Sequence, residues 1–343
     1  MRPYNAGGHF LKRRYHNGYK RRAATPLMPQ QANQPLPDGY QLENYRISSV
    51  LSCGGFSIVY LAYDDNDHPV AIKEYLPSQL ALRKEGDALP SIAEENLATF
   101  RYGLKCFFEE GKSLAGLSHP NVVRVLNFFR ANETVYMVMR YERGRTLQEH
   151  IQARRRGAVK ESFIRHVFSL LLNGLREVHS NKLLHLDIKP ANIYIRNDGT
   201  PLLIDFGAAR QTLTQEGMRL NPMYTPGFAP PEQYKNRDLL GPWSDCYAIG
   251  ASIFACLSGM APQPADQRLE RDRYVSATKL RNGKYSRQLL ETIDWCLELD
   301  HLKRPQSVFA LQKVLLREKE PEVHRKGSLL GSLRKAWLKA SGR

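Results

Sequence analysis

Asp187, Asn192 and Asp205 are the residue types that a phosphoryl transfer needs. They lie in two short runs, His185-Leu186-Asp187-Ile188-Lys189-Pro190-Ala191-Asn192 and Asp205-Phe206-Gly207. Moving a phosphoryl group from a nucleotide to a hydroxyl requires a carboxylate near the attacking oxygen. It also requires oxygen ligands that keep a divalent cation on the phosphates, because the reaction is mostly positioning and charge stabilisation. A surface turn capped by Asp and Asn would use the same residue types. Both runs in this order favour the catalytic reading.

A second constellation lies upstream. Leu51-Ser52-Cys53-Gly54-Gly55-Phe56-Ser57-Ile58-Val59-Tyr60 separates two expected strands. A glycine-rich hairpin lets backbone N–H groups approach phosphate oxygens because no Cβ intervenes. Alone, it reads equally as a flexible turn. Val70-Ala71-Ile72-Lys73 follows on the next strand, and a lysine ending an apolar strand needs a partner, since burying a lone ammonium is costly. Glu109 and Glu110, on a helix expected over 96–117, are the candidates. Glu110 lies four residues before Leu114 and is expected to face the core, with Glu109 towards solvent; two solvated glutamates are the alternative.

These residues need elements to position them. β-Branched and aromatic runs predict strands at Tyr45–Leu51, Ile58–Tyr63, Val70–Tyr75, Val122–Phe129 and Thr134–Tyr141. The 96–117 helix would place Phe107, Phe108, Leu114 and Leu117 on a common face. Beyond residue 145, long amphipathic stretches dominate, at 161–180, 244–259 and 286–299, with short strands around 193–204. A strand-rich front and a helix-rich back give an α+β pattern of two lobes, 40–142 and 143–320 within one domain of 40–320.

Residues 1–39 read as a disordered basic tail ending in a Pro/Gln/Asn-rich stretch, and 321–343 as a basic amphipathic tail. Of the net charge of +16, residues 1–37 hold seven Lys or Arg and no acid, and residues 321–343 hold six with one Glu; about +4 remains on the body. Anionic partners are therefore expected at the tails only. Leu329, Leu330, Leu333, Trp337 and Ala340 at helical spacing fit an anionic membrane surface or the protein's own lobe. The tails lack interleaved aromatics beyond Tyr4, Phe10, Tyr15 and Tyr19, so nucleic acid is not the expected partner. No run reaches the roughly 18–20 apolar residues of a membrane span. The start lacks a secretory pattern, although an Arg-rich, acid-free start also fits an organelle targeting peptide. Five scattered cysteines show no metal-ligand spacing and read as reduced thiols. The expected location is the cytoplasm, with the tails against the inner membrane surface.

Over about residues 43–316 the sequence resembles a protein Ser/Thr kinase. Gly54-Gly55-Phe56, Lys73-Glu74-Tyr75-Leu76-Pro77 and Ala229-Pro230-Pro231-Glu232-Gln233-Tyr234 resemble bacterial members in particular. The resemblance implies a two-lobed kinase fold, and ATP with Mg2+ (or Mn2+) as cofactors. It also implies protein substrates with Ser or Thr acceptors, autophosphorylation and a role in bacterial signalling. It implies that Lys73 holds the α- and β-phosphates with Glu110 as its ion-pair partner. Asp187 would be the catalytic base, Lys189 would steady the transferred group, and Asn192 and Asp205 would be metal ligands. Ser52, Gly54, Val59, Ala71, Met139 (the gatekeeper) and Tyr141, within the Arg140–Glu142 hinge, would meet the nucleotide. Pro230-Pro231-Glu232 matches the end of the activation segment, and Arg304 its salt-bridge partner. Asp245 matches the aspartate that anchors the catalytic loop, and Lys189 with Thr225 favours Ser/Thr over Tyr acceptors.

Four departures stand out. Ser52 and Ser57 replace two glycines of the phosphate loop, which implies a stiffer loop and reduced nucleotide affinity or rate. Leu186 replaces the arginine that holds a phosphorylated activation loop, so activity independent of loop phosphorylation is expected. Arg145 and Thr146 stand where an acidic residue often contacts ribose. Pro77–Asn96 lengthens the connection from Lys73 to the helix. Two other classes stay open: a pseudokinase or nucleotide-sensing scaffold, and a small-molecule kinase, against which the Thr225–Glu232 segment argues.

Overall fold

Alternating β-branched and aromatic side chains give the front half its strands, and the chain returns on itself at short turns to pair them. The structure, a computed structural model, describes residues 33–153, 159–206, 224–280 and 283–316. In chain order the first strands are β1 (Gln41–Leu42), β2 (Tyr45–Cys53), β3 (Ser57–Tyr63) and β4 (Pro69–Tyr75). A small hairpin of β5 (Ala81–Leu82) and β6 (Ser91–Ile92) precedes helix α1 (Glu94–Ala115), and β7 (Val125–Ala131) and β8 (Thr134–Arg140) follow. The main sheet is antiparallel with order β1-β2-β3-β4-β8-β7.

The strand expected from Val122 begins instead at Val125. Val122 is drawn away by a parallel bridge to Leu203, reinforced by Val123 N–H to Leu203 O (2.9 Å) and Leu203 N–H to Asn121 O (2.9 Å). These bonds tie the strand-rich half to the helical half just behind the site. α1 buries Phe100, Phe107, Glu110 and Leu114, while Phe108 is half-buried with its ring edge-on to Phe128.

A second sheet, β11-β10-β9, opens the helical half: β9 (Gly144–Thr146), β10 (Ile193–Arg196) and β11 (Pro201–Leu203). A Cβ at Gly144 would fall 2.1 Å from the Ile195 carbonyl oxygen, so only glycine fits there. The helices are α2 (Leu147–Gln152), α3 (Glu161–Ser180), α4 (Pro231–Lys235), α5 (Pro242–Ser258), α6 (Ala265–Glu270), α7 (Ala277–Leu280), α8 (Arg287–Cys296) and α9 (Val308–Leu316). The amphipathic reading of 244–259 is corrected. Every residue of α5 from Ser244 to Leu257 is buried, so this helix is the axis of the core and not a surface element.

Order begins earlier than Tyr40. The Asn33 amide donates to Leu76 O (3.1 Å) and accepts from Arg83 N–H (2.7 Å), and Leu36 is buried. Residues 33–39, assigned to a disordered tail by composition, are therefore part of the fold. The expectations for residues 1–32 and for the 321–343 tail lie outside the described residues. No helix among the described residues is long and apolar enough to cross a membrane.

Candidate active site

The loop 185–192 runs from the end of α3 to β10, and its shape is set by one buried carboxylate. Asp245, in the first turn of α5, accepts His185 N–H (2.9 Å) and His179 Nε2 (2.8 Å) on Oδ2, and Leu186 N–H (2.8 Å) on Oδ1. Burial alone would push its carboxyl pKa up, but these hydrogen bonds and the nearby histidines hold it below the usual value, so it is ionised. Burial pulls the His185 imidazole down from its ordinary value near 6.5. Its Nδ1 faces the Asp187 N–H (3.3 Å), which can only donate, so the proton sits on Nε2 and is given to Ile204 O (3.1 Å).

Leu186 and Asp205 both have φ near +60°, a conformation of order 1–3 kcal/mol above the ordinary one for a side-chain-bearing residue. Each is held on more than one side. Gln233 Nε2 donates to Leu186 O (2.8 Å) while Asp245 holds its N–H. Asp205 is gripped through its carboxylate by Lys73, and the Ile204 N–H before it donates to Asn192 O (3.0 Å).

Asp187 is the point where the loop, the lysine and the distal segment meet. Lys189 Nζ lies 3.1 and 3.0 Å from its two oxygens, and Asn192 Nδ2 donates to Oδ2 (2.9 Å). Thr225 Oγ1 donates to Oδ1 (2.9 Å) and accepts from Lys189 (2.9 Å). Lys189 therefore partly neutralises a carboxylate that is itself orientated by an amide and a hydroxyl, 38 residues away in the case of Thr225.

Lys73 is nearly buried on β4, and its ammonium needs a carboxylate. The expected partner was Glu110; the structure pairs Lys73 Nζ instead with Asp205 Oδ1 at 2.9 Å. The left-handed backbone at Asp205 turns its carboxylate towards the strand, whereas α1 presents the Phe107 ring to the ammonium, 5.6 Å from its centroid. Glu110 is buried and Glu109 exposed. Glu110 lines a separate cavity of about 320 Å3 with Tyr102, Cys106, Leu183 and Phe206.

Between the two sheets lies a cavity of about 520 Å3. It brings together Ser52, Val59, Ala71, Met139, Tyr141, Asn192 and Asp205 from the sequence-derived set. Gly54 sits in the loop above, its N–H bonded to Ser57 O (3.0 Å), and is not among the lining residues. Sequence reasoning missed Val123, Leu202 and Ile204, which supply apolar surface from strands and strand ends that carry no motif, and gave no nucleotide contact to Leu51 at the start of the glycine-rich run.

It also placed Arg145 and Thr146 where a carboxylate belongs. The structure supplies Glu142 and Glu149 to the cavity wall. Glu142 is tied to Arg196 (3.1 Å), while Glu149 accepts Thr146 N–H (2.7 Å) and Oγ1 (2.9 Å) as the third residue of α2. The Thr146-Leu147-Gln148-Glu149 spacing is a capping box, a signal that could have found it.

Asn192 and Asp205 are hard oxygen donors facing one cavity, and the Asn192 amide nitrogen is already committed to Asp187. A magnesium ion shared with phosphates needs only one or two protein oxygens, so this donor set fits one. Farther out, Arg304 holds Glu232 through two hydrogen bonds (2.7 and 3.0 Å), both side chains buried. That pair fixes the start of α4, whose Gln233 reaches back to the 185–192 loop.

The family described as the protein kinase domain matches residues 45–316. A serine/threonine-protein kinase B of Synechocystis sp. is 30% identical over 65% of this chain and 38% of its own length. A serine/threonine-protein kinase PknA of Nostoc sp. is 32% identical over 64% of this chain and 38% of its own length. The chain thus spans well under half of these curated relatives. The solved structure titled PpkA-294, apo form, superposes with a TM-score of 0.74 at 36% identity, covering 82% of this chain and 99% of that one.

Proposed function

The chain belongs to the protein kinase family, and from that premise we propose that it transfers the γ-phosphoryl group of ATP to Ser or Thr hydroxyls of proteins. The observation that carries this reading is the Asp187–Lys189–Thr225 cluster. A carboxylate that accepts a hydrogen bond from the Thr225 hydroxyl supports a role in taking an acceptor hydroxyl and its proton. Lys189 beside it offers positive charge where negative charge builds on the transferred group. Lys73 would hold the non-transferred phosphates, and Asn192 and Asp205 would hold Mg2+ or Mn2+. The ion, when bound, screens the phosphate charge. The relatives named as Ser/Thr kinases support the acceptor class, and Thr225 beside Lys189 agrees with it.

Asp187→Asn is expected to lower magnesium-dependent phosphorylation of a generic protein substrate by about 10²–10⁴-fold while nucleotide still binds. A wild-type protein that binds ATP but phosphorylates neither itself nor such a substrate would overturn the reading in favour of a nucleotide-sensing scaffold.

A further inference from the structure

The segment between β4 and α1, beginning at Pro77, is fastened to the phosphate loop. Gly55 O accepts two hydrogen bonds from one residue, Ser78: from its N–H (2.9 Å) and from its Oγ (3.1 Å). The next carbonyl, Phe56 O, accepts Leu76 N–H (3.0 Å). The Phe56 ring is buried edge-on against Tyr75 (centroids 5.1 Å), which leans in turn on Phe100 and Phe107 of α1. Both carbonyls at the tip of the loop are thus held from outside the β2–β3 hairpin.

The holding segment is itself anchored. Arg83 is fully buried and grips Glu74 with two nitrogens (2.6 and 2.7 Å), also reaching Tyr60 Oη (2.8 Å) and Gln34 O (2.8 Å). Glu74 further accepts from Tyr60 (2.7 Å) and Tyr136 (2.8 Å). Asn33 clasps the same segment at both ends, through Leu76 O and Arg83 N–H. Glu74 neighbours Lys73 on β4, and consecutive strand residues face opposite ways. The charge network therefore covers one face of the sheet directly behind the nucleotide face. A buried Arg–Glu pair with its hydrogen bonds satisfied contributes geometry more than net stability.

We propose that this segment is a positioning element for the phosphate loop, with Ser78 as the residue that holds the loop in its nucleotide-binding shape. The proposal rests on the ATP-dependent reading above. It changes what Ser52 and Ser57 mean: a loop with fewer glycines is stiffer, and one also pinned at its tip has less conformational freedom to lose when phosphates bind. The expected weakening from the two serines is thereby offset, and the cost moves to any variant that unpins the tip.

The test uses the full chain, with equilibrium titration by a fluorescent ATP analogue, steady-state kinetics and thermal melting on each variant. Ser78→Ala keeps the N–H and loses the hydroxyl bond. It is expected to raise the analogue Kd and the KM for ATP about threefold to tenfold, the scale of one hydrogen bond. Its kcat should stay within about twofold and its Tm should barely move. Ser78→Thr, which retains the hydroxyl, is expected to restore the Kd. Asn33→Ala, cutting the anchor from the other side, is expected to raise the Kd in the same direction. An unchanged Kd in Ser78→Ala, or the same loss in Ser78→Thr, would overturn the proposal. If the wild type binds the analogue but shows no turnover, the kinase reading fails, while the Kd comparison still decides the role of Ser78.

Discussion

Leu186 concentrates what is unusual about the catalytic loop. A leucine there offers no charge to a phosphorylated segment, yet the loop is not left loose. Among the described residues its N–H goes to Asp245 and its carbonyl accepts from Gln233, so a carboxylate and an amide hold the backbone there. Activity is therefore expected to be independent of loop phosphorylation. Thr212→Ala and Thr214→Ala, at positions outside the described residues, should each leave kcat within about threefold, well short of the 10²-fold scale of a lost catalytic group. A large drop in either variant that tracks loss of phosphate, followed by mass spectrometry, would contradict this. At the same scale, the motif residues were legible because their chemistry restricts their type and spacing. The Lys73 partner was misassigned because two carboxylates, Glu110 and Asp205, compete for one ammonium. Which of them wins depends on the backbone at Asp205, not on the residue type.

At the scale of elements, two buried ion pairs stand out: Arg83–Glu74, nine residues apart in the strand-rich half, and Arg304–Glu232, 72 residues apart in the helical half. Arg304→Met leaves the Glu232 carboxylate buried without its guanidinium. It is expected to cost about 3–5 kcal/mol of stability, measured by urea unfolding. The double variant Arg304→Met with Glu232→Leu should recover much of that loss, since the charge and its partner leave together. Strands with strict alternation and long apolar-faced helices could be read directly from the sequence. The short β5–β6 hairpin could not, since two-residue strands carry too little periodicity, and the six residues of α2 are marked only by their capping box. Val122 was placed in a strand on propensity, and the bridge to Leu203 overrode it.

For the whole molecule, the charge is carried by the ends. Most of the +16 lies in 1–37 and 321–343, beside a nearly balanced body. Surface attraction of this kind falls with salt. The full chain is expected to co-sediment with anionic liposomes at low ionic strength, and removal of 321–343 should reduce that binding. Equal binding with and without the segment would remove the membrane role assigned to it.

By itself the sequence determined the family, the α+β pattern and the candidate site residues, because those depend on residue type and on short, fixed spacings. The tertiary structure alone decided which charge meets which, that residues 33–39 belong to the fold, and that Ser78 bonds to Gly55. Those are contacts between segments tens of residues apart. They follow from where a buried polar group can find a partner, which no local pattern encodes.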